Sequence, residues 1–247
     1  MGTPTWTVTY VLHRQKVQEP PHFDQYTLEV SPDEYVLDGV ERIWAFHDRS
    51  LTFRHACHHS TCGACGMRVN GVEKLTCITR IRDVTRDGGT IKVEPLRNFP
   101  VVSDLVVDLG PLYAAMEQVG ARKLTPVEAT SSGNAPAPDS PGSPLLRLVD
   151  CIECGLCMSA CPVMATALNY LGPAPLAAIQ HDGADPASDS FARADSQDGL
   201  WRCHNTFECA AVCPSWVDPA ARMMALRRRV VGQRVKRLFR RGEETRR

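Results

Sequence analysis

Apolar or β-branched residues alternate with polar ones over Thr5–Leu12 and again over Phe23–Val30. A period of two predicts two strands, and their proximity predicts a hairpin. The period then changes: Val40, Ile43, Trp44 and His47 fall at helical spacing, which predicts a short helix over Asp38–His47. Gly66–Val69 and Ile91–Glu94 read as further short strands, with Asn70-Gly71 and Asp87-Gly88-Gly89 as turns. A hairpin, a helix and further short strands are compatible with a small β-grasp sheet. From Ser103-Asp104 onward, Leu105, Val106, Leu109, Leu112, Tyr113 and Met116 predict a helical stretch with Pro111 as an irregularity.

Gly120–Pro144 breaks the pattern. Its Ser, Gly, Pro and Ala residues from Thr130 to Pro144 cannot build a packed core, so the segment reads as a linker or long surface loop. Beyond it, Leu145–Val149, Met164–Leu171 and Ala220–Val231 predict short helices, and no strand pattern is convincing. Two domains follow, 1–118 and 145–247, joined by 119–144.

Composition changes this picture in one respect. With 43% hydrophobic and 23% charged residues the chain is not generally disordered. Its zero net charge is unevenly spread. Arg222–Arg247 holds ten arginines and one lysine against Glu243 and Glu244, a net +9, so the other 221 residues carry −9. That acidic body, with no recognition motif, argues against nucleic-acid binding. No run approaches the roughly 18 apolar residues of a membrane span. The start, Met1-Gly2-Thr3-Pro4-Thr5-Trp6, lacks both the signature of a secretory signal and that of a myristoylation site. A reducing cytoplasm is therefore expected, where eleven cysteines, an odd count, seldom mean disulfides.

The cysteines carry the chemistry. Cys57, Cys62 and Cys65 are spaced C-x4-C-x2-C, and Cys77 follows. The spacing begins like the plant-type [2Fe–2S] loop, although its fourth cysteine comes sooner. Soft thiolates suit iron, and each iron takes two of them beside the bridging sulfides. Gly63 and Gly66 permit the sharp turns of such a loop. A four-cysteine zinc knuckle is the bland alternative, but zinc sites usually show two separated C-x2-C pairs. A Rieske centre would use Cys57 and His59 but needs a second His, and here the partner pair is Cys62 with Cys65. His55, His58 and His59 read as surface or supporting residues.

Cys151, Cys154, Cys157 and Cys161-Pro162 form the bacterial run C-x2-C-x2-C-x3-C-P, whose last cysteine serves the other cluster in two-cluster ferredoxins. Cys203, Cys209 and Cys213-Pro214 follow. With ligands exchanged in that way, Cys213 joins Cys151, Cys154 and Cys157 at a [4Fe–4S] site. Cys161, Cys203 and Cys209 remain, and three thiolates suit [3Fe–4S]. The fold class expected is α+β: an N-terminal β-grasp plant-type ferredoxin domain and a C-terminal, mainly α-helical, bacterial-type two-cluster ferredoxin domain with a basic tail.

At this point the chain resembles the iron–sulfur subunit of succinate dehydrogenase and fumarate reductase, the respiratory complex II family. The resemblance rests on the Cys57–Cys65 loop with Asn70-Gly71 and Cys77, on Val102–Asp108 with Tyr113, and on both C-terminal cysteine motifs. It implies the same three clusters, a flavoprotein partner carrying covalent FAD that oxidises succinate to fumarate, and a quinone acceptor. It also implies membrane-anchor subunits that hold the chain peripherally at the cytoplasmic face of the cell membrane. Fumarate reduction, the reverse direction, is the alternative within the family. His204 and Pro162 are the quinone-binding residues it implies. Two positions depart from it: Thr166 stands where the family carries a Trp, and Ser215 follows Cys213-Pro214 where it carries Lys. In the basic tail, Val230, Val231, Val235, Leu238 and Phe239 interleave with arginines, an amphipathic pattern suited to anionic headgroups or an anchor subunit.

Overall fold

The computed structural model describes residues 5–17, 19–120, 151–181 and 185–244, with side chains through 239. The first strand, β1 (Trp6–Arg14), alternates buried and less buried residues, with Val8, Tyr10 and Leu12 wholly inside. It pairs antiparallel with β2 (His22–Val30) in an unbroken register from Trp6↔Val30 to Arg14↔His22. Helix α1 (Val36–Phe46) follows, then β3 (Gly66–Val69), β4 (Val72–Leu75) and β5 (Thr90–Glu94). The sheet order is β2-β1-β5-β3-β4, with β1 and β5 parallel at its centre. This is the expected β-grasp. Val36, Val40 and Ile43 of α1 pack into the same core as Val8, Tyr10, Leu28 and Val93. The approach is close enough that a Cβ on Gly39 would lie 2.2 Å from the Tyr10 hydroxyl.

The helix expected from Ser103 does not start there. Val101–Ser103 (β6) and Val106–Val107 (β7) form a two-stranded ribbon, and Asp104 takes φ 47° at its turn. The cause is the Asp104 carboxylate. It is fully buried, accepts the amides of Gln15 (3.0 Å) and Thr52 (2.8 Å), and meets Lys16 Nζ at 2.6 Å and Arg14 Nε at 3.3 Å. Arg14 also pairs with Asp24 and Asp48. Helix α2 begins only at Gly110 and runs to Gln118, and Pro111 sits in its first turn, where a missing N–H costs nothing.

In the C-terminal half the described elements are helical: α3 (Leu156–Ala160), α4 (Pro173–His181), α5 (Asp189–Ala194), α6 (Glu208–Ala211) and α7 (Pro219–Glu244). The helix expected over Met164–Leu171 is instead a series of tight turns, with Thr166 N–H on Val163 O and Tyr170 N–H on Ala167 O. Regular helix starts after Gly172 (φ 88°), at Pro173. Helix α7 reaches well beyond Val231, and Ala220, Met223, Leu226 and Val230 make its buried stripe. Leu145–Val149 and nearly all of the expected linker lie outside the described residues.

The two halves are joined by buried polar groups. Ser159 Oγ accepts the Arg97 amide (2.8 Å) and donates to Glu73 Oε1 (2.8 Å). Asn98 Nδ2 reaches the carbonyls of Met158, Ser159 and Cys161 at 2.9–3.1 Å, closing the buried C-terminal end of α3. Leu112 of α2 packs with Leu156, Met158 and Ala174.

Burial alone would raise the Asp104 carboxyl, but Lys16, the two amides and Arg14 hold it below the usual carboxylate range. A lowered folded-state pKa gives stability present above the unfolded value, about 3.9, and lost as the pH falls through it. Asp104→Ala leaves the Gln15 and Thr52 amides without their acceptor and takes one of three carboxylates from Arg14, and should cost about 1–3 kcal/mol. Native-state hydrogen exchange at the Gln15 and Thr52 amides reads this directly, and unchanged protection contradicts the assignment.

Candidate metal centres

The first cysteine group sits between α1 and β3. Three left-handed residues, His58 (φ 59°), Ser60 (φ 62°) and Gly63 (φ 72°), wind the chain into a loop. Cys65 and Cys77 are buried on its inner side, Cys62 is exposed and Cys57 is half-buried. Thr76 fixes the inner pair, its N–H and hydroxyl both bonding Cys65 O. The Thr61 hydroxyl and the His59 amide, 3.5 Å from Cys57 Sγ, pull the Cys57 thiol down to about 5, with help from Cys62. Burial pushes Cys77 up to about 12, with Cys65 and Cys57 adding to the rise. Cys57 and Cys77 are thus each shifted in part by other thiols of the group.

The second group joins distant segments. Cys151 and Cys213 both pack against Ala177 and Val217. Together with Cys154 and Cys157 they line one pocket, whose other walls include Leu112, Met116, Ile152 and Ala174. Burial, then mutual repulsion, raises the thiols: Cys154 to about 12, Cys151 upward, and Cys157 well above its ordinary value. Glu153 (φ 51°) and Gly155 (φ 76°) turn the backbone so that the amides of Glu153 and Leu156 meet the sulfurs of Cys151 and Cys154.

The third group is Cys161, Cys203 and Cys209, which share a pocket with Val163, Tyr170 and Met223. Burial again comes first, raising Cys161 and pushing Cys209 up to about 12. The amides of Val163 and Met164 meet Cys161, and that of Asn205 (φ 58°) lies 3.5 Å from Cys203 Sγ. Arg227 of α7 holds this loop by Cys203 O (3.2 Å) and Asn205 Oδ1 (3.1 Å). His204 is exposed but lines the same pocket; Pro162 is exposed beside Cys161, and Thr166 is exposed as well.

All eleven cysteines thus gather as four, four and three. A buried thiol with a raised pKa is a poor anion in water but a good ligand, because a metal replaces its proton. Amide N–H groups aimed at sulfur further favour the charged form. The donor set, apolar walls and N–H···S contacts fit iron–sulfur clusters.

Two contributors were not legible beforehand. Tyr170, buried beside Cys203, sits in a segment misread as helix. Gly63 was read as a turn residue only. A Cβ there would lie 2.7 Å from Cys154 Cβ and 3.0 Å from Ile152 O, so the first loop rests on the second through this glycine. Further along, Cys157 of the second group also feels the charge of Cys209 in the third.

The chain matches two sequence-family models. One, described as a 2Fe-2S iron-sulfur cluster binding domain, covers residues 9–114; the other, described as a 4Fe-4S dicluster domain, covers residues 147–217. It is 37% identical over 216 residues to the fumarate reductase iron-sulfur subunit of Mycobacterium tuberculosis (strain CDC 1551 / Oshkosh), spanning 84% of this chain and 85% of that protein. It is 32% identical to succinate dehydrogenase [ubiquinone] iron-sulfur subunit 2, mitochondrial, of Oryza sativa subsp. japonica, spanning 84% of this chain and 68% of that one. Among solved structures it superposes on a chain of the Mycobacterium smegmatis Sdh1 complex in the apo form, with TM-score 0.78 and 27% identity, over 93% and 98% of the two chains.

Gly63→Ala should separate the halves locally. The methyl clashes with Cys154, and a left-handed φ costs a non-glycine residue about 1 kcal/mol or more. Exchange of the Arg97 amide, which bonds across to Ser159, should speed by about tenfold or more, with the β1–β2 hairpin unaffected. Unaltered exchange at Arg97 would show that Gly63 does not govern the contact.

Proposed function

The chain belongs to the family of iron–sulfur subunits of fumarate reductase and succinate dehydrogenase, and on that premise we propose the ligand set of its three centres. Cys57, Cys62, Cys65 and Cys77 hold a [2Fe–2S] cluster, Cys151, Cys154, Cys157 and Cys213 a [4Fe–4S] cluster, and Cys161, Cys203 and Cys209 a [3Fe–4S] cluster. The chain is an electron-transfer subunit of an oxidoreductase complex. Bound clusters of this kind carry electrons singly, which suits a chain placed between a two-electron donor and a quinone. The segregation of the thiols into four, four and three carries the reading.

Their order follows from the residues between them. Gly63 rests on Cys154, and Cys157 faces Cys209, so the three groups succeed one another in a row. The partner at one end is a flavoprotein subunit with FAD that interconverts succinate and fumarate; at the other, quinone is held beside membrane-anchor subunits. His204 on the rim of the third pocket, with Pro162 beside Cys161, supports a quinone site there. We assign the first cluster to a unit of residues 1–118 and the other two to residues 145–247, with 119–144 between them.

The family membership supports a peripheral attachment at the cytoplasmic face through anchor subunits; no helix among the described residues is long and apolar enough to cross a membrane. Helix α7 supports this placement. Its arginines divide: Arg227 holds the third cysteine loop, and Arg234 pairs with Asp195 at 2.6 Å and lies over Trp201. Beyond them Val235, Leu238 (70% exposed) and Phe239 (73% exposed) form an outward stripe flanked by Lys236 and Arg237.

Low-temperature EPR of the anaerobically purified complex should show an oxidised three-iron signal, and succinate should add a reduced two-iron signal. In Cys209→Ser the three-iron signal should disappear or change, with the two-iron signal kept; an intact three-iron signal contradicts the ligand set. Truncation at Arg234 leaves the Asp195 pair intact and removes six basic residues, each worth about 1 kcal/mol at an anionic surface. Vesicle flotation with phosphatidylserine should then fall at least tenfold, and undiminished flotation counts against the helix as the attachment.

A further inference from the structure

Outside the three thiol groups, Glu41, His55 and His58 bring three ligand atoms together among the described residues. Glu41 Oε1 lies 3.0 Å from His55 Nδ1 and 3.2 Å from His58 Nε2, and the two nitrogens are 3.1 Å apart. These edges form a nearly equilateral triangle. Three donors around a tetrahedral zinc-class ion, with bonds near 2.0–2.1 Å, stand about 3.3 Å apart.

Hydrogen bonding alone does not account for the arrangement. Each neutral imidazole carries one proton, so the facing nitrogens can share at most one N–H···N bond. Glu41 Oε1 is shielded from solvent yet has no hydrogen-bond partner, although both rings stand at ion-pair distance. A cation at the centre of the triangle would satisfy all three atoms together. The ligands are also held in place. Glu41 projects from α1, the His55 ring stacks on Phe53 (5.2 Å, 20° between planes), and Phe53 packs edge-on against Trp44. His58 takes its left-handed backbone within the Cys57–Cys65 loop.

We propose that Glu41, His55 and His58 form a three-ligand site for a divalent transition-metal ion of the zinc class, on the outer wall of the first cysteine loop. Two imidazoles and one carboxylate are a donor set zinc accepts, with a fourth position left for water. The exposure of both imidazoles leaves the site open to exchange with solvent metal. A dication here neighbours Cys57 and stabilises negative charge on that loop, so zinc occupancy shifts the potential of the two-iron centre in the positive direction.

The test uses the full-length chain with its clusters in place, titrated anaerobically with zinc chloride by calorimetry, with iron and sulfide assayed before and after. One equivalent should bind with a dissociation constant of about 10 µM or tighter. Iron should be retained, and the EPR line shape of the reduced two-iron centre should change. Glu41→Gln and His55→Ala, both outside the cysteine loop, should each weaken binding at least tenfold while keeping iron content and the unliganded EPR signal. Absence of binding up to 100-fold that concentration, binding equally tight in both variants, or uptake matched by iron loss would each overturn the proposal.

Discussion

The structure depends on one close approach, that of the Cys57–Cys65 loop to the backbone of Ile152 and Cys154 at Gly63. Nearly ninety residues separate these segments, and nothing covalent joins their thiol groups. They meet because a missing side chain lets backbone reach backbone, and because the surrounding polar groups cannot be satisfied any other way. Ser159 is fully buried, and Glu73 nearly so; separating the halves would leave the Glu73 carboxylate, the Ser159 hydroxyl and the Arg97 amide to be resolvated. Buried groups left unpaired cost about 1–3 kcal/mol each, more when charged, so the contact is specific as well as close. Asn98 adds to it by closing the C-terminal carbonyls of α3, the helix carrying Cys157.

A second constraint is electrostatic. Burial disfavours a thiolate, and neighbouring thiolates disfavour it further, yet each pocket holds three or four thiols. The chain offsets part of this with backbone rather than with charged side chains. At Glu153, Gly155, Asn205 and Phe207 it adopts left-handed φ values, each beside a cysteine or at the start of a short helix that bears one. A non-glycine residue held there costs about 1 kcal/mol, and the return is an amide turned toward sulfur. In the proposed ligand set iron would meet the remaining cost, which would couple cluster loading to the fold of these loops.

How much of this was visible in the sequence follows from the range of each interaction. Strand alternation, the Asn70-Gly71 turn and the cysteine spacings are local, and the β-grasp and the thiol grouping emerge from them. The part of the ribbon from Ser103 to Val107 reads as helix because its apolar spacing fits both. What decides is Asp104, whose carboxylate is claimed by Gln15 and Thr52, residues about ninety and fifty positions away. The turns over 163–170 mislead in the same way, since Leu171 is fixed by a carbonyl from Asp198. Glu73 reads as an ordinary strand glutamate until Ser159 is placed beside it. Glu41 likewise has no meaning in sequence until α1 lies against the cysteine loop.

The charge pattern shows why composition alone is an unsafe guide to a surface. Counted along the chain, Arg222–Arg247 is one basic block. In three dimensions Arg222 is buried and reaches Gln180, Arg227 is spent on the third cysteine loop, and Arg234 on Asp195 and Trp201. These side chains are structural: Arg222 ties α7 to α4, Arg227 to the third cysteine loop, and Arg234 to the end of α5. The buried stripe ends at Val230, and Val231, Val235, Leu238 and Phe239 face outward beyond it. One continuous helix thus carries both the contact to the third cysteine loop and the outward apolar residues. The thiol group that this helix contacts is the one with three members and with His204 at its rim. Under the proposed placement at a membrane, that is where an acceptor would meet the chain.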